Sequence, residues 1–241
     1  MALVSALQEN RKHARVSAHF LFRLYRACLT IGARQPVLLA ALDLKEADLR
    51  DPVAQFDSDT VPILCQTSCR ELGGRDVTME IGRLLVPTGF SDKGYTAIFE
   101  RNFGDTLAAS LAALEAGAGE TLCCFKRTKD SHRLIWNRKA GYADEYVRIV
   151  FSNLIVFGES MAAGQFPTVK AACFAHEKPD GCGDHIHGEG IRAPIPCHFG
   201  QPASYLEYHP QLMGLPNPLS NRSILTFDLH EEYAGPGTPE K

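Results

Sequence analysis

No stretch of the 241 residues is long and apolar enough to reach the ~20 positions that a membrane-crossing helix needs. A secretory leader is also missing, because no apolar core follows the first charges, so the expected location is the cytoplasm. Neither sign of charge dominates: the formal net charge is -3, which argues against a nucleic-acid surface spread over the whole chain. The short signatures of hydrolases, phosphate-binding loops and zinc proteases are absent, among them Gly-x-Ser-x-Gly, Gly-x-x-x-x-Gly-Lys-Ser/Thr and His-Glu-x-x-His. The reading is therefore of a protein that is not an enzyme, with no catalytic residue and no cofactor. A hydrolase would have to assemble its site from residues far apart in the chain. Eight Cys are present, mostly inside apolar runs of a long chain, and so read as reduced, buried side chains rather than a disulfide framework.

Charge is placed unevenly. Up to Arg34 the chain carries Arg11, Lys12, Arg15, Arg23, Arg26 and Arg34 against the single acid Glu9. Arg11 and Arg15 stand four residues apart, a spacing that shares a face on a helix and also on an extended segment. Two guanidinium forks on one side suit a ligand with phosphates and guanine edges, which Arg pairs bidentately. Lys12 and Asn10 flank the pair as further candidate contacts, and Val16 can pin the arm's far end.

Periodicity then predicts a helical N-terminal half. Ser17 caps a helix with Phe20, Leu21, Leu24, Cys28 and Ile31 on one face, stopped by Gly32. Short helices are expected over Val37–Leu42 and Lys45–Leu49, and a longer one opens at Ser58 or Asp59 with Pro62 in its first turn. Asp76 caps the next helix, ended by Pro87, and Asp105 caps Thr106–Ala116 with a stripe of Leu107, Leu111 and Leu114. From Glu120 the pattern changes. Thr121–Arg127 and His132–Trp136 read as a hairpin, with Asp130 and Ser131 in its turn. A long amphipathic helix follows over Ala143–Ala163, and then strands at Val169–Phe174, Cys197–Phe199 and Tyr205–Tyr208.

Two side-chain groups invite chemistry. His176, Cys182, His185 and His187, with Cys173, Cys197 and His198 nearby, are zinc-type ligands at no standard spacing. They support a metal-binding protein as an alternative reading, although no metal ligand is assigned. Lys126, Arg127, Arg133 and Arg138 lie on or beside the hairpin and could face a phosphate. Of these Arg133 is retained as a candidate contact, while a solvated sheet face is the usual explanation for such charges. Trp136 reads as a partly buried core residue.

Arg-x-x-x-Arg followed by a hydrophobic residue resembles the start of cyclic-di-GMP receptors of the PilZ type, but that family's Asp/Asn-x-Ser-x-x-Gly motif is not found. The body resembles something else. Cys197, Phe199–Gly200, Leu206, Tyr208 and Leu215–Pro216–Asn217–Pro218–Leu219 follow the pattern that ends the N-terminal effector-binding domain in one branch of AraC-type transcription regulators. Val37–Pro52 resembles that domain's first helices, Gly89–Tyr95 one of its turns and Asp105–Leu114 its following helix, so the resemblance covers roughly residues 36–230. An AraC-like body with a PilZ-like arm is similar to the cyclic-di-GMP-responsive (CuxR-like) type of activator.

The resemblance implies an α+β sensor: an N-terminal helical half packed on a small mixed β-sheet, covered by the long helix. Residues 1–16 are expected to form a flexible basic arm, 17–233 the effector-binding and dimerisation domain, and 234–241 a linker. The implied partners are cyclic-di-GMP and a second copy in a ligand-dependent homodimer. DNA would be reached only through a C-terminal helix-turn-helix domain that these residues do not contain. The alternative within the same class is a sensor of another small metabolite held between helices and sheet.

Overall fold

Ser17 opens the folded body as predicted. Its hydroxyl accepts the Phe20 N–H (3.2 Å) and caps α1, Ala18–Thr30. The structure, a computed structural model, describes residues 14–85, 100–118, 121–162, 167–188, 191 and 193–217. Phe20, Leu21, Leu24 and Cys28 of α1 are fully buried, and Gly32 takes φ +105° just past the helix end. Helices α2 (Gln35–Leu42) and α3 (Glu46–Leu49) follow. Helix α4 (Thr60–Glu71) carries Pro62 in its first turn, and α5 (Thr78–Leu84) has the Thr78 N–H bonded by the Asp76 carboxylate at 2.9 Å. Pro87, the stretch Gly89–Phe99 and the tail 234–241 lie outside the described residues.

One cap differs from expectation. Helix α6 spans Phe103–Ala118, and Asn102 rather than Asp105 caps it. The Asn102 Oδ1 accepts the Asp105 N–H (2.9 Å), while Asp105 accepts the Asn102 amide N–H (2.8 Å). Asp105 thus sits in the first turn, where its negative charge still favours the helix dipole. Leu107 is buried and Leu111 half-buried, as the predicted stripe requires.

The hairpin forms as β3 (Cys123–Arg127) and β4 (His132–Trp136), closed by the Thr128 N–H donating to Ser131 O at 2.9 Å. A short 3₁₀ turn, Arg138–Ala140, leads to helix α7, Asp144–Ala162. Then come β5 (Val169–Cys173), β6 (His185–Ile186), β7 (Ile195–His198) and β8 (Tyr205–Tyr208). Their order in the sheet is β3-β4-β8-β5-β7-β6, with β5 and β7 parallel and the other pairs antiparallel. The fold is therefore α+β with a mixed six-stranded sheet. A second, two-stranded sheet had no counterpart in the sequence reading: β1 (Arg15–Ser17) runs antiparallel to β2 (Gln55–Asp57).

Helix α7 is the core of the molecule, buried on almost every side between α5 and the sheet. Gly82 allows this approach, since a Cβ there would meet the Ile149 carbonyl at 2.7 Å. The polar side chains of α7 that are buried have partners. Ser152 donates to Met79 O (2.6 Å), and the Asn153 amide donates to Leu85 O. Glu159 accepts the Thr168 N–H and hydroxyl at 2.9 and 2.7 Å. Arg148 pairs with Asp76, both side chains at least nine-tenths buried. Burial pushes the Asp76 carboxyl up, but Arg148 and the Thr78 N–H outweigh it and hold Asp76 below its ordinary range.

Candidate functional site

Arg15 occupies the first position of β1 with its side chain exposed, while Ala14 and Val16 on either side are buried. Strand alternation explains the contrast: Val16 anchors inward and Arg15 turns to solvent. The backbone here is tied along its length. Ser58 N–H donates to Ala14 O (2.9 Å), Ala18 N–H to Ala54 O (3.0 Å), and the Tyr142 hydroxyl to Arg15 O (3.0 Å).

Tyr142 belongs to an aromatic cluster beneath this edge. Its ring stacks on Tyr146 at 4.4 Å and meets Trp136 edge-on at 6.2 Å, and Phe20 lies 5.2 Å from Tyr146. Burial raises the Tyr146 hydroxyl pKa well above its ordinary value, so that side chain stays neutral at any physiological pH. Trp136 is buried, as predicted.

Two exposed cations stand just before Tyr142. Arg138 and Lys139 sit on the 3₁₀ turn, whose Asn137 side chain accepts the Lys139 N–H (3.1 Å) and donates to Thr121 O (2.7 Å). Neither cation has an ion-pair partner among the described residues, and nor does Arg15. Asp57 stands opposite Arg15 in the ladder, and its carboxylate accepts the Asp59 N–H at 3.0 Å.

Arg15 is thus the one ligand-contact candidate of the arm whose place can be given. Arg11, Lys12 and Asn10 lie outside the described residues. Arg133 is engaged elsewhere. Its Nε and Nη2 hold Glu207 at 3.0 and 2.9 Å, and its guanidinium lies 4.7 Å over the Tyr205 ring, so the sheet's own cross-strand pair accounts for it. Lys126 and Arg127 are exposed on β3, with Arg127 5.7 Å over Phe125.

The Cys/His group is not gathered into a ligand set; among the described residues no three His, Cys, Asp or Glu are placed to hold a metal. Alternation separates Cys197, buried, from His198, exposed. His185 and His187 are exposed, and His176 packs against both the Phe174 and Phe199 rings, at 5.4 and 5.5 Å. Tyr142 and Lys139 were missed by the sequence reading. A contact across 127 residues leaves no local signature.

Among the described residues, no helix is long and apolar enough to cross a membrane. No curated protein matches the chain. The family model described as the arabinose-binding domain of AraC transcription regulator, N-terminal, matches residues 32–217, beginning after the arm and ending with the last described residue. Covering most of the chain, this match places it in the family of N-terminal ligand-binding domains of AraC transcription regulators.

Proposed function

We propose that this domain senses cyclic-di-GMP for an AraC-type transcriptional activator, with Arg15 and Arg11 gripping its phosphates or guanine edges. Ligand binding would then control dimerisation and, through a helix-turn-helix domain, DNA binding. One observation carries this reading: Arg15 is a cation without an ion-pair partner among the described residues, on a backbone fixed by β2 and by Tyr142. A rigid root with an exposed guanidinium is what a phosphate clamp requires. The root is also extended, and on extended backbone positions four apart point the same way, so the spacing of the two Arg suits one ligand. Ordering of the arm around a ligand supplies the differential contact that a switch needs.

A second reading has its own observation. The Tyr208 hydroxyl is fully buried beside Phe103 with no hydrogen-bond partner among the described residues, so a small polar effector between α6, α7 and the sheet would satisfy it. Titration calorimetry with cyclic-di-GMP, beside GTP, linear pGpG and arabinose, separates the two. Micromolar binding of the cyclic dinucleotide alone is expected. Arg15→Ala should weaken it by about 1.5–3 kcal/mol, the scale of a charge-assisted hydrogen bond, with the melting temperature unchanged. Binding of a different ligand that Arg15→Ala leaves intact and Tyr208→Phe removes would replace the first reading with the second.

A further inference from the structure

We propose that the turn Asn137–Gly141 is a second phosphate clamp, in which Arg138 and Lys139 hold the phosphate of the dinucleotide that Arg15 does not reach. This rests on the cyclic-di-GMP reading and extends it to residues outside the arm. The turn is fixed at three points. Asn137 is bonded to the start of the hairpin through both its backbone N–H (to Leu122 O, 2.7 Å) and its side-chain amide. Ala140 is buried, and Gly141 takes φ +74°, a value that reverses the chain there without strain. Tyr142 then reaches the backbone of Arg15 itself.

The two clusters of cations are therefore joined by one hydrogen bond and a few residues of ordered chain. Arg138 precedes Tyr142 by four residues, whose Cα path spans at most about 14 Å even when extended and less across a 3₁₀ turn; the Tyr142 side chain and its hydrogen bond complete the path to Arg15. With Ala140 facing the core, Arg138 and Lys139 are the side chains that the turn gives to solvent. Arg supplies a bidentate fork and Lys a point charge, both suited to phosphate. The nearby acids offer partial opposition. Glu115 accepts the Leu122 and Cys123 N–H groups (2.9 and 3.1 Å), and Glu145 accepts the Gln66 amide (3.3 Å), while Asp144 is exposed.

The competing explanation is a general positive field. Residues 121–139 hold Lys126, Arg127, Lys129, Arg133, Arg138 and Lys139 against Asp130 alone. The test therefore compares two double variants that remove equal charge, Arg138→Ala/Lys139→Ala and Lys126→Ala/Lys129→Ala, titrated with cyclic-di-GMP beside the wild type and Arg15→Ala. The turn variant should lose roughly tenfold or more in affinity and show a shallower salt dependence, since two phosphate contacts are gone. The hairpin variant should stay within about twofold, because exposed charges beyond a Debye length are screened. All four side chains are exposed, so the melting temperatures should agree. Equal losses in both double variants, or a turn variant that binds like wild type while Arg15→Ala does not, overturn the clamp and leave the cyclic-di-GMP reading standing. A wild-type protein that takes up no dinucleotide overturns both.

Discussion

Arg148 and Arg15 carry the same guanidinium into opposite surroundings. Arg148 lies inside the packing of α7, 5% exposed and committed to Asp76, whereas Arg15 stands on the rim of the β1–β2 ladder with its head in solvent. The first cation is costly to bury, and its partner and neighbours are arranged to compensate it. The second costs the fold nothing and adds little to stability. Cations that a protein leaves exposed on a rigid support, as Arg15 is, are the ones available to a ligand.

The contrast can be broken most forcefully at Arg148. Arg148→Met leaves Asp76 buried without its cation and should cost about 3–5 kcal/mol in urea unfolding, the scale for one partner lost from a buried pair. A loss as small as that expected for Arg15→Ala would erase the distinction between the two sites. A pH series sharpens it. Asp76 has a depressed pKa in the folded state, so its stabilisation is complete above the ordinary Asp value of 3.8 and is lost as pH falls through the depressed value. In Arg148→Met that carboxyl is desolvated with its cation gone and only the hydrogen bonds from Thr78 left to favour its charge, so it gains from protonation. The stability gap between the two proteins should therefore be widest near neutrality and narrow in acid, followed by unfolding midpoints from pH 7 to pH 3. The smallest effect belongs to the rim: Tyr142→Phe removes one hydrogen bond to Arg15 O and should cost about 0.5–1.5 kcal/mol, with the Tyr146 stack retained.

The parts of the fold that were legible in the sequence are those set by local pattern. The Ser17 cap, the hairpin, the strand Tyr205–Tyr208 and helix α7 each carry their signal within a few residues, and each forms where periodicity and turn chemistry put it. Strands of two or three residues escaped, because β1, β2 and β6 are too short to show alternation. At α6 the boundary slipped because Asn102 and Asp105 are both good capping residues, and only their reciprocal hydrogen bonds decide between them. The parallel pairing of β5 with β7 is a tertiary outcome with no local trace. The candidate site divides in the same way. Arg15 was visible as half of a spaced pair, but the tie to it from Tyr142, which follows the Arg138–Ala140 turn, joins residues 127 apart.

The ladder that fixes Arg15 also limits where the rest of the arm can be. With Arg15 held against Asp57, the Cα of Arg11 can lie no farther than about 14 Å from its own. Under the proposed function, a ligand captured by Arg15 would meet Arg11 at an effective concentration on the order of millimolar or above, set by tether length alone. The second contact becomes an intramolecular step, and its strength depends on where the tether is anchored as much as on the side chain it carries. Moving the anchor by inserting residues between Arg11 and Arg15 would dilute that step while both guanidinium groups remain in place.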